Sequence, residues 1–296
     1  MRRVPVGQLA ARLELTTVSS GEPAAVGAYG LALEGVDAAR RFLLPAAPGW
    51  PRLRSETRSG RLERITDRLG EDRAEIVLRS GGVLFLDRTE ARAEFVTPEP
   101  LSADELAHPG LAPVAAVTAR WLGRQSFHAG AFVLGDEVWA LLAEREGGKS
   151  TTLAWLAAHG HRIVCDDMLV LDGDAAYDGP RVLDLRSESA QRLGLGDYRG
   201  RVGLRERWRV ELDAVPDGAR FRGWIFLVWG DDVGVEPVRA SDRLPRLAPH
   251  LGLRVPPAHP ERLLELAALP SWEFRRPHGW SRFDEAGERL LAALAG

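Results

Sequence analysis

The chain contains a single lysine, and this lysine lies in a glycine-rich segment between an apolar strand pattern and a helical pattern. Lys149 is one of 39 basic residues, the other 38 being arginine, and asparagine is absent. A codon bias towards G and C explains the arginine excess, but it does not explain why this one lysine is kept. An ammonium group is a compact point charge, whereas a guanidinium group is a broad planar fork. Position 149 therefore indicates a site that needs the smaller cation.

The segment around Lys149 fits a phosphate-binding loop of the pattern G-x-x-x-x-G-K-[ST]. Residues 143–150 agree with it at every fixed position except the first, where Ala143 replaces glycine. In such a loop, backbone N–H groups and the N-terminus of the next helix face the phosphates. We expect Lys149 to contact the β- and γ-phosphates and the Ser150 hydroxyl to bind Mg²⁺. A glycine-rich turn holding an exposed lysine is the alternative at this point.

Two consecutive acids follow a second apolar strand pattern at residues 162–165. Asp166 and Asp167 come directly after that strand. A carboxylate beside a phosphate loop can hold Mg²⁺, directly or through water, and a second one can accept the proton of an attacking hydroxyl. The alternative is that the two acids cap a helix or lie at a solvated strand end. His128 precedes the loop, at the start of a predicted hairpin. It is a candidate site residue because of this position, and the alternative is a purely structural role.

These motifs together resemble the HPr kinase family, which is structurally related to phosphoenolpyruvate carboxykinases. The resemblance rests on Phe127, His128 and Ala129, the hairpin, the loop, the helix that ends at Gly160, and residues 165–167. It covers about residues 124–186 and extends weakly to about 230. It implies an α/β fold with a P-loop core, ATP and Mg²⁺ as cofactors, and phosphoryl transfer to a hydroxyl group.

The resemblance also implies a role for each site residue. Asp166 would be the general base, Asp167 the metal-side carboxylate together with Ser150, and His128 a group that orients the phosphate–aspartate cluster. The residues expected to bind the nucleotide are Glu146, Gly147, Gly148, Lys149, Ser150 and Thr151. Arg209 lies on a later strand, where relatives carry a basic residue, and it is a candidate substrate contact.

Two loop positions depart from the family pattern, which usually has glycine where this chain has Ala143 and Glu146. Glu146 places a negative charge near the phosphates, so a degenerate, non-catalytic nucleotide- or peptide-binding module is one alternative. The later signature stretch of bifunctional HPr kinase/phosphorylases is absent, which argues against HPr as the substrate. Shorter relatives occur beside peptide-modification genes, and some phosphorylate a precursor peptide. We therefore expect a serine or threonine of a peptide or protein as acceptor, with a small-molecule hydroxyl as the other alternative.

The order of patterns predicts a smaller β-rich domain at residues 1–122, which would help to recognise the acceptor, and a kinase domain at 123–296. In the first part we expect strands at 74–79 and 83–88 around a glycine turn, a third at 93–96, a capping box at Ser102, a helix at 111–121 and a loop at 45–59. In the second part we expect a hairpin at 132–143, a helix at 151–159, strands at 162–165, 168–171, 182–185, 208–212 and 221–229, and helices at 260–269 and 283–294.

Composition excludes several classes of protein. A net charge of −3 does not favour nucleic acid as a partner, and no apolar run is long enough to span a membrane. No signal-peptide pattern follows the first arginines. The single cysteine, Cys165, allows no internal disulfide, which fits a cytoplasmic location, and we expect it to be a core residue. The sequence leaves open whether the chain forms homo-oligomers.

Overall fold

The computed structural model describes residues 25–62, 66–213 and 219–295 and shows a mixed α/β architecture with several sheets. Residues 1–24, at the start of the predicted first domain, lie outside the described residues. The described helices are α1 (Ala103–Glu105), α2 (Leu111–Trp121), α3 (Lys149–Ala158), α4 (Ser187–Leu193), α5 (Ala240–Leu247), α6 (Pro260–Ala268) and α7 (Phe283–Ala295). No helix among them is both long enough and apolar enough to cross a membrane.

The first sheet comes from the first half of the chain. Its strands are β1 (Val26–Ala28), β2 (Leu31–Glu34), β3 (Leu44–Pro45), β4 (Arg52–Ser59), β5 (Arg68–Leu69), β6 (Arg73–Val77), β7 (Val83–Asp87) and β8 (Arg92–Thr97), in the order β3-β1-β2-β4-β8-β7-β6-β5. The β6–β7 hairpin and β8 confirm three predicted strands. The prediction of a loop at 45–59 is wrong for the second half of this range, because β4 lies there and pairs in parallel with both β2 and β8.

The segment between the first sheet and α2 brings the first half of the chain towards the later strands. Ser102 and Glu105 form the predicted capping box at the start of α1, and α2 has the predicted bounds. The backbone leaves helical geometry at His108 between these two helices. This break directs residues 104–108 towards the later strand that carries Arg209, and Arg209 contacts both Asp104 and the His108 carbonyl oxygen.

The second half of the chain forms two further sheets. Their strands are β9 (Gln125–Phe127), β10 (Gly130–Leu134), β11 (Glu137–Leu142), β12 (Ile163–Cys165), β13 (Leu169–Asp172), β14 (Ala175–Tyr177), β15 (Val182–Leu185), β16 (Asp197–Val202), β17 (Arg205–Glu211), β18 (Arg220–Trp229), β19 (Gly234–Pro237) and β20 (Ser271–Arg276). Strands β15, β17 and β16 form the small third sheet. The predicted hairpin is β10–β11, and each of the other strands expected in this half is present within a few residues. The strands of this half that were not predicted are β9, β14, β16, β19 and β20.

Four strands of the second sheet end at one edge. Strand β11 pairs in parallel with β18, and β18 pairs in parallel with β20. Strand β12 is antiparallel to β10, which is itself antiparallel to β11, so β12 runs in the same direction as β11. The residues that follow β11, β12, β18 and β20 therefore meet at the carboxyl edge of the sheet, where ligands of α/β proteins commonly bind.

Helices α3 and α7 pack together on one face of this sheet. The Trp155 ring of α3 lies against Gly287 of α7, where any Cβ atom would collide with the indole. The Trp155 indole N–H also donates a 2.7 Å hydrogen bond to Asp284. Helix α3 starts at Lys149, so the helix held by this packing begins at the carboxyl edge of the sheet.

Candidate active site

The segment between β11 and α3 forms a tight loop with a left-handed turn at each of two positions. Gly148, the N-cap of α3, has φ +87°, a backbone conformation that favours glycine. Gly147 packs closely enough on Ala143 and Glu144 that a Cβ atom there would crowd both. Ala143 is not one of the non-glycine residues with a left-handed backbone conformation in the described chain. Alanine therefore fits the first loop position without backbone strain.

Asp166 lies where the first turn of α3 meets the end of β12. The Ser150 hydroxyl donates a 2.8 Å hydrogen bond to Asp166 Oδ1 and lies 3.1 Å from Oδ2. Lys149 Nζ donates to the main-chain oxygen of Asp166 and lies 3.3 Å from Oδ1. Both charged side chains are largely buried. The loop lysine, the loop hydroxyl and one acid thus form a single polar cluster.

Asp167 faces a different partner. Its Oδ1 lies 3.2 Å from Nδ1 of His128, and the same ring nitrogen lies 3.0 Å from the Asp167 main-chain oxygen. His128 follows β9 and stays half exposed at the cleft. The structure therefore brings His128 to the acid pair. The histidine contacts Asp167, whereas Asp166 contacts the loop residues Lys149 and Ser150.

The surroundings of Asp167 keep its carboxyl group ionised. Burial by itself would raise its pKa, but the basic side chains around it, His108, Lys149, His128 and Arg207, together hold the pKa below the ordinary value. The carboxylate is therefore unprotonated at neutral pH, in the form that can accept a proton.

The oxygen groups at the loop fit a magnesium ion. Ser150 Oγ and the Asp166 carboxylate supply two adjacent oxygen donors. Mg²⁺ is usually bound through one or two carboxylates together with phosphates and water. No group of three or more His, Cys, Asp or Glu side chains arranged to hold a metal occurs within residues 25–62, 66–213 and 219–295. Because Mg²⁺ usually keeps several waters and binds substrate phosphates, a magnesium ion at Ser150 and Asp166 would complete its shell with phosphate oxygens and water.

Glu146 adopts a conformation that glycine would adopt with less strain, and it binds two arginines at the mouth of the loop. Its φ is +69°. Its carboxylate accepts a 2.6 Å hydrogen bond from Arg186 and lies 3.4 Å from Arg205. The hydrogen bond from Arg186 is the main reason why its pKa is lowered. Glu146 thus pairs with two arginines that would otherwise direct their charges into the cleft.

We expect Glu146→Gly to tighten the binding of Mg·ATP by about three- to tenfold, because it removes a negative charge and frees both arginines for phosphate. Calorimetric titration measures the change. Glu144→Gly is the matched control, because it removes the same charge from the same exposed loop without touching the arginine pair. An equal gain in both variants, or weaker binding by Glu146→Gly, would contradict the release of Arg186 and Arg205.

Arg209 is not at the cleft surface. It is 1% exposed, and its fork binds both oxygens of Asp184 at 2.7 and 2.8 Å. It also donates to the Asp104 carboxylate at 2.8 Å. Arg205, Arg207 and Arg209 share one face of β17, and this face turns towards the cleft and towards Asp104. Arg209 links the segment 104–108 to the third sheet and has no free donor directed at a substrate.

Several cleft residues were not expected as site residues. Thr151, which was expected, lies at the cleft and shares a 2.9 Å hydrogen bond with Ser189 of α4. The unexpected ones are mostly cationic or aromatic and come from distant parts of the chain: His108, Arg186, Arg205, Arg207, Trp229 and Arg276. The sequence did contain a signal for two of them, because Arg205 and Arg207 occupy every second position of one strand and so share a face. Cys165 is buried as expected, and burial raises the pKa of its thiol.

No protein-family model matches this chain, and no curated protein matches it. Among solved structures, it is similar to the HPr(Ser) kinase/phosphatase from Coxiella burnetii, with 15% sequence identity over 58% of this chain and 97% of that chain. The TM-score is 0.29, which marks a distant similarity and does not define a shared fold.

Proposed function

We propose that this chain is an ATP-dependent phosphotransferase of the HPr-kinase type, which transfers the γ-phosphate of ATP to a hydroxyl group. The carrying observation is the convergence of Lys149, Ser150 and Asp166 at the end of a glycine-rich loop, with Asp167 next to them in the same cleft. This arrangement combines phosphate-binding donors, a metal-binding pair and a separate carboxylate that can act as a base. The proposed acceptor is a serine or threonine of a peptide or protein.

The contacts favour a division of labour that reverses the roles expected for the two acids. Asp166 shares its carboxylate with Ser150 and Lys149, so it is the metal-side acid. Asp167 is free of the loop and pairs with His128, so it is the base. Magnesium bound at Ser150 and Asp166 would neutralise charge on the phosphate oxygens. Arg209 has no place in this assignment.

The chain's own groups account for the transfer step. Lys149 and the loop amides hold the triphosphate, and Asp167 accepts the proton of the acceptor hydroxyl. The acceptor oxygen then forms a bond to the γ-phosphorus as the bond from that phosphorus to the leaving ADP oxygen breaks. His128 holds the Asp167 carboxylate in position through its 3.2 Å contact. A hydroxyl of a peptide and one of a small molecule would react alike, so the acceptor site decides between them.

A non-catalytic binding module is the second candidate, and Glu146 is the observation that favours it. A charged residue in a left-handed conformation, paired with two arginines, is an unusual feature for a loop that holds phosphates. This candidate predicts nucleotide or peptide binding without any transfer. It keeps the loop but gives Asp167 and His128 no chemical role.

The test of the nucleotide site is Lys149→Ala. We expect it to weaken Mg·ATP binding by about 10- to 100-fold, since one charge-assisted contact to phosphate is lost. Calorimetry measures the affinity, and a thermal melt of each protein shows whether the fold is kept. Equal affinities for the two proteins would rule out Lys149 as the phosphate lysine, whereas a collapse in stability would identify a structural lysine.

The lack of any other lysine allows an independent readout on the unaltered protein. An amine-reactive reagent has only Lys149 and the chain's α-amino group to modify. The Lys149 side chain is 11% exposed, so we expect slow modification in the free protein and still slower modification with Mg·ATP, because phosphate then covers the part that is exposed. The α-amino group serves as the internal control, and AMP, which lacks the β- and γ-phosphates, is expected to protect far less.

A further inference from the structure

Arg276 is a buried cation that has no polar partner among the described residues. It is 4% exposed, its Nε has no hydrogen-bond acceptor, and it forms no ion pair with any residue that the structure describes. Burial lowers its pKa to about 10, so the group stays charged at neutral pH. Proteins normally pair buried charges, because removing an unpaired charge from water is unfavourable. An unpaired arginine of this kind therefore indicates an anion-binding position.

Two aromatic rings hold the guanidinium group in place. Its Cζ lies 4.3 Å from the ring centroid of Trp229 and 4.7 Å from that of Phe283. Cation–π contacts of this kind offset part of the lost hydration and fix the orientation of the fork. They offer no oxygen to the five N–H donors of an arginine. The rings thus position the fork without satisfying it.

The position of Arg276 relates it directly to the loop. Arg276 ends β20, at the same carboxyl edge where β11 delivers the loop. A Cβ atom on Gly148 would collide with the Arg276 guanidinium. The residue lines the same cleft as Lys149 and Asp167. It differs from Arg186 and Arg205 in the same cleft, because those two arginines already bind Glu146.

We propose that Arg276 forms an anion subsite of the cleft, which binds a phosphate group of the nucleotide held on the loop of residues 143–150. The inference rests on the proposed function and deepens it by adding a second cation, besides Lys149, to the phosphate site. A planar guanidinium matches a phosphate with two parallel hydrogen bonds. A phosphate carried by a modified acceptor has the same chemistry, and the test separates the two sources.

The test compares Arg276→Met with Arg275→Met by calorimetric titration with Mg·ATP, inorganic tripolyphosphate, AMP and a phosphoserine peptide. We expect Arg276→Met to weaken the binding of ATP and tripolyphosphate by about 10- to 100-fold. Arg275→Met is the matched control, because this neighbour points away and pairs with Glu236 and Glu273. Its affinities should equal those of the wild type.

Thermal melting of the free proteins separates an anion-binding arginine from a structural one, because loss of a structural arginine would lower the melting temperature. Methionine removes an unpaired buried charge, so the melting temperature of Arg276→Met is expected to stay or rise. A clear fall would assign Arg276 to the fold and overturn the inference. Unchanged affinity for ATP and tripolyphosphate would also overturn it, and loss of phosphoserine-peptide binding alone would move the subsite to the acceptor.

The two proposals fail in different ways. If Arg276→Met binds ATP as the wild type does while Lys149→Ala does not, the subsite is rejected and the nucleotide loop stands. If Lys149→Ala keeps full affinity for tripolyphosphate while Arg276→Met loses it, the subsite stands and the loop assignment is rejected. A wild type that binds neither ATP nor tripolyphosphate rejects both.

Discussion

Asp167→Asn is expected to lower the rate of phosphoryl transfer by about 10²–10⁴-fold, the usual scale for the loss of a general base. Asparagine keeps the size of the side chain and can still contact His128, but it cannot accept the proton of the acceptor hydroxyl. Because Asp167 makes no hydrogen bond to the loop lysine or the loop serine among the described contacts, Asp167→Asn should not weaken the binding of Mg·ATP. Transfer from labelled ATP and calorimetric titration measure the two quantities on the same protein.

Asp166→Asn is the matched variant, since it alters the adjacent residue by the same change. Asp166 accepts the Ser150 hydrogen bond and lies 3.3 Å from Lys149. We therefore expect its loss to raise the Mg²⁺ concentration needed for half-maximal nucleotide binding. If Asp166→Asn instead abolishes transfer at normal Mg²⁺ dependence, and Asp167→Asn raises the Mg²⁺ requirement, the roles expected from the sequence are right and the reversal drawn from the contacts is wrong.

Arg209→Leu is expected to destabilise the fold by about 3–5 kcal/mol, the typical result of removing one partner of a buried ion pair. Both the Arg209 and Asp184 side chains are 0% exposed, so the substitution leaves the Asp184 carboxylate buried without its cation. Asp104 also loses its contact with the third sheet. Chemical denaturation followed by fluorescence measures the free energy of unfolding.

Arg205→Leu is the control for this prediction. Arg205 lies on the same face of the same strand but pairs with the half-exposed Glu146, so we expect a change of less than about 1 kcal/mol. The double variant Arg209→Leu with Asp184→Leu should recover much of the lost stability, because the fully buried Asp184 carboxylate is then removed together with its cation. Similar small losses from Arg209→Leu and Arg205→Leu would contradict the structural role given to Arg209.

Local patterns allowed much of the second half to be predicted. The β10–β11 hairpin, the start of α3 close to Lys149 and the strand that ends at Asp166 each follow from apolar periodicity and glycine positions within a few residues. The capping box at Ser102 follows from its own four residues. These elements lie where the sequence places them because neighbours in the chain decide them.

Strands that depend on distant partners were harder to predict. Strand β4 has few apolar residues, and only Leu53 and Ser55 are buried in it, so its polar composition indicated a loop. It becomes a strand because β2 and β8 pair with it on both sides. Strand β20 carries only a weak alternation through Trp272 and Phe274, and Arg276 at its end was therefore missed.

The roles of single side chains depended on directions that the sequence does not contain. Consecutive residues after a strand point to different sides, so the sequence identifies an acid pair but does not say which acid meets Ser150. The same applies to Arg209, whose burial depends on Asp184 on a neighbouring strand and on Asp104 in the first half of the chain. Glu146 was expected near the phosphates, and its arginine partners come from later, separate segments.

The most direct measurement of the central claim is the transfer of label from γ-labelled ATP by the unaltered protein in the presence of Mg²⁺. The acceptors should be peptides containing serine or threonine, small alcohols and the products of neighbouring genes. We predict a labelled acceptor with the wild type, and almost none with Lys149→Ala or Asp167→Asn. Tight binding of Mg·ATP by the wild type without label on any acceptor would contradict the kinase and support the binding module.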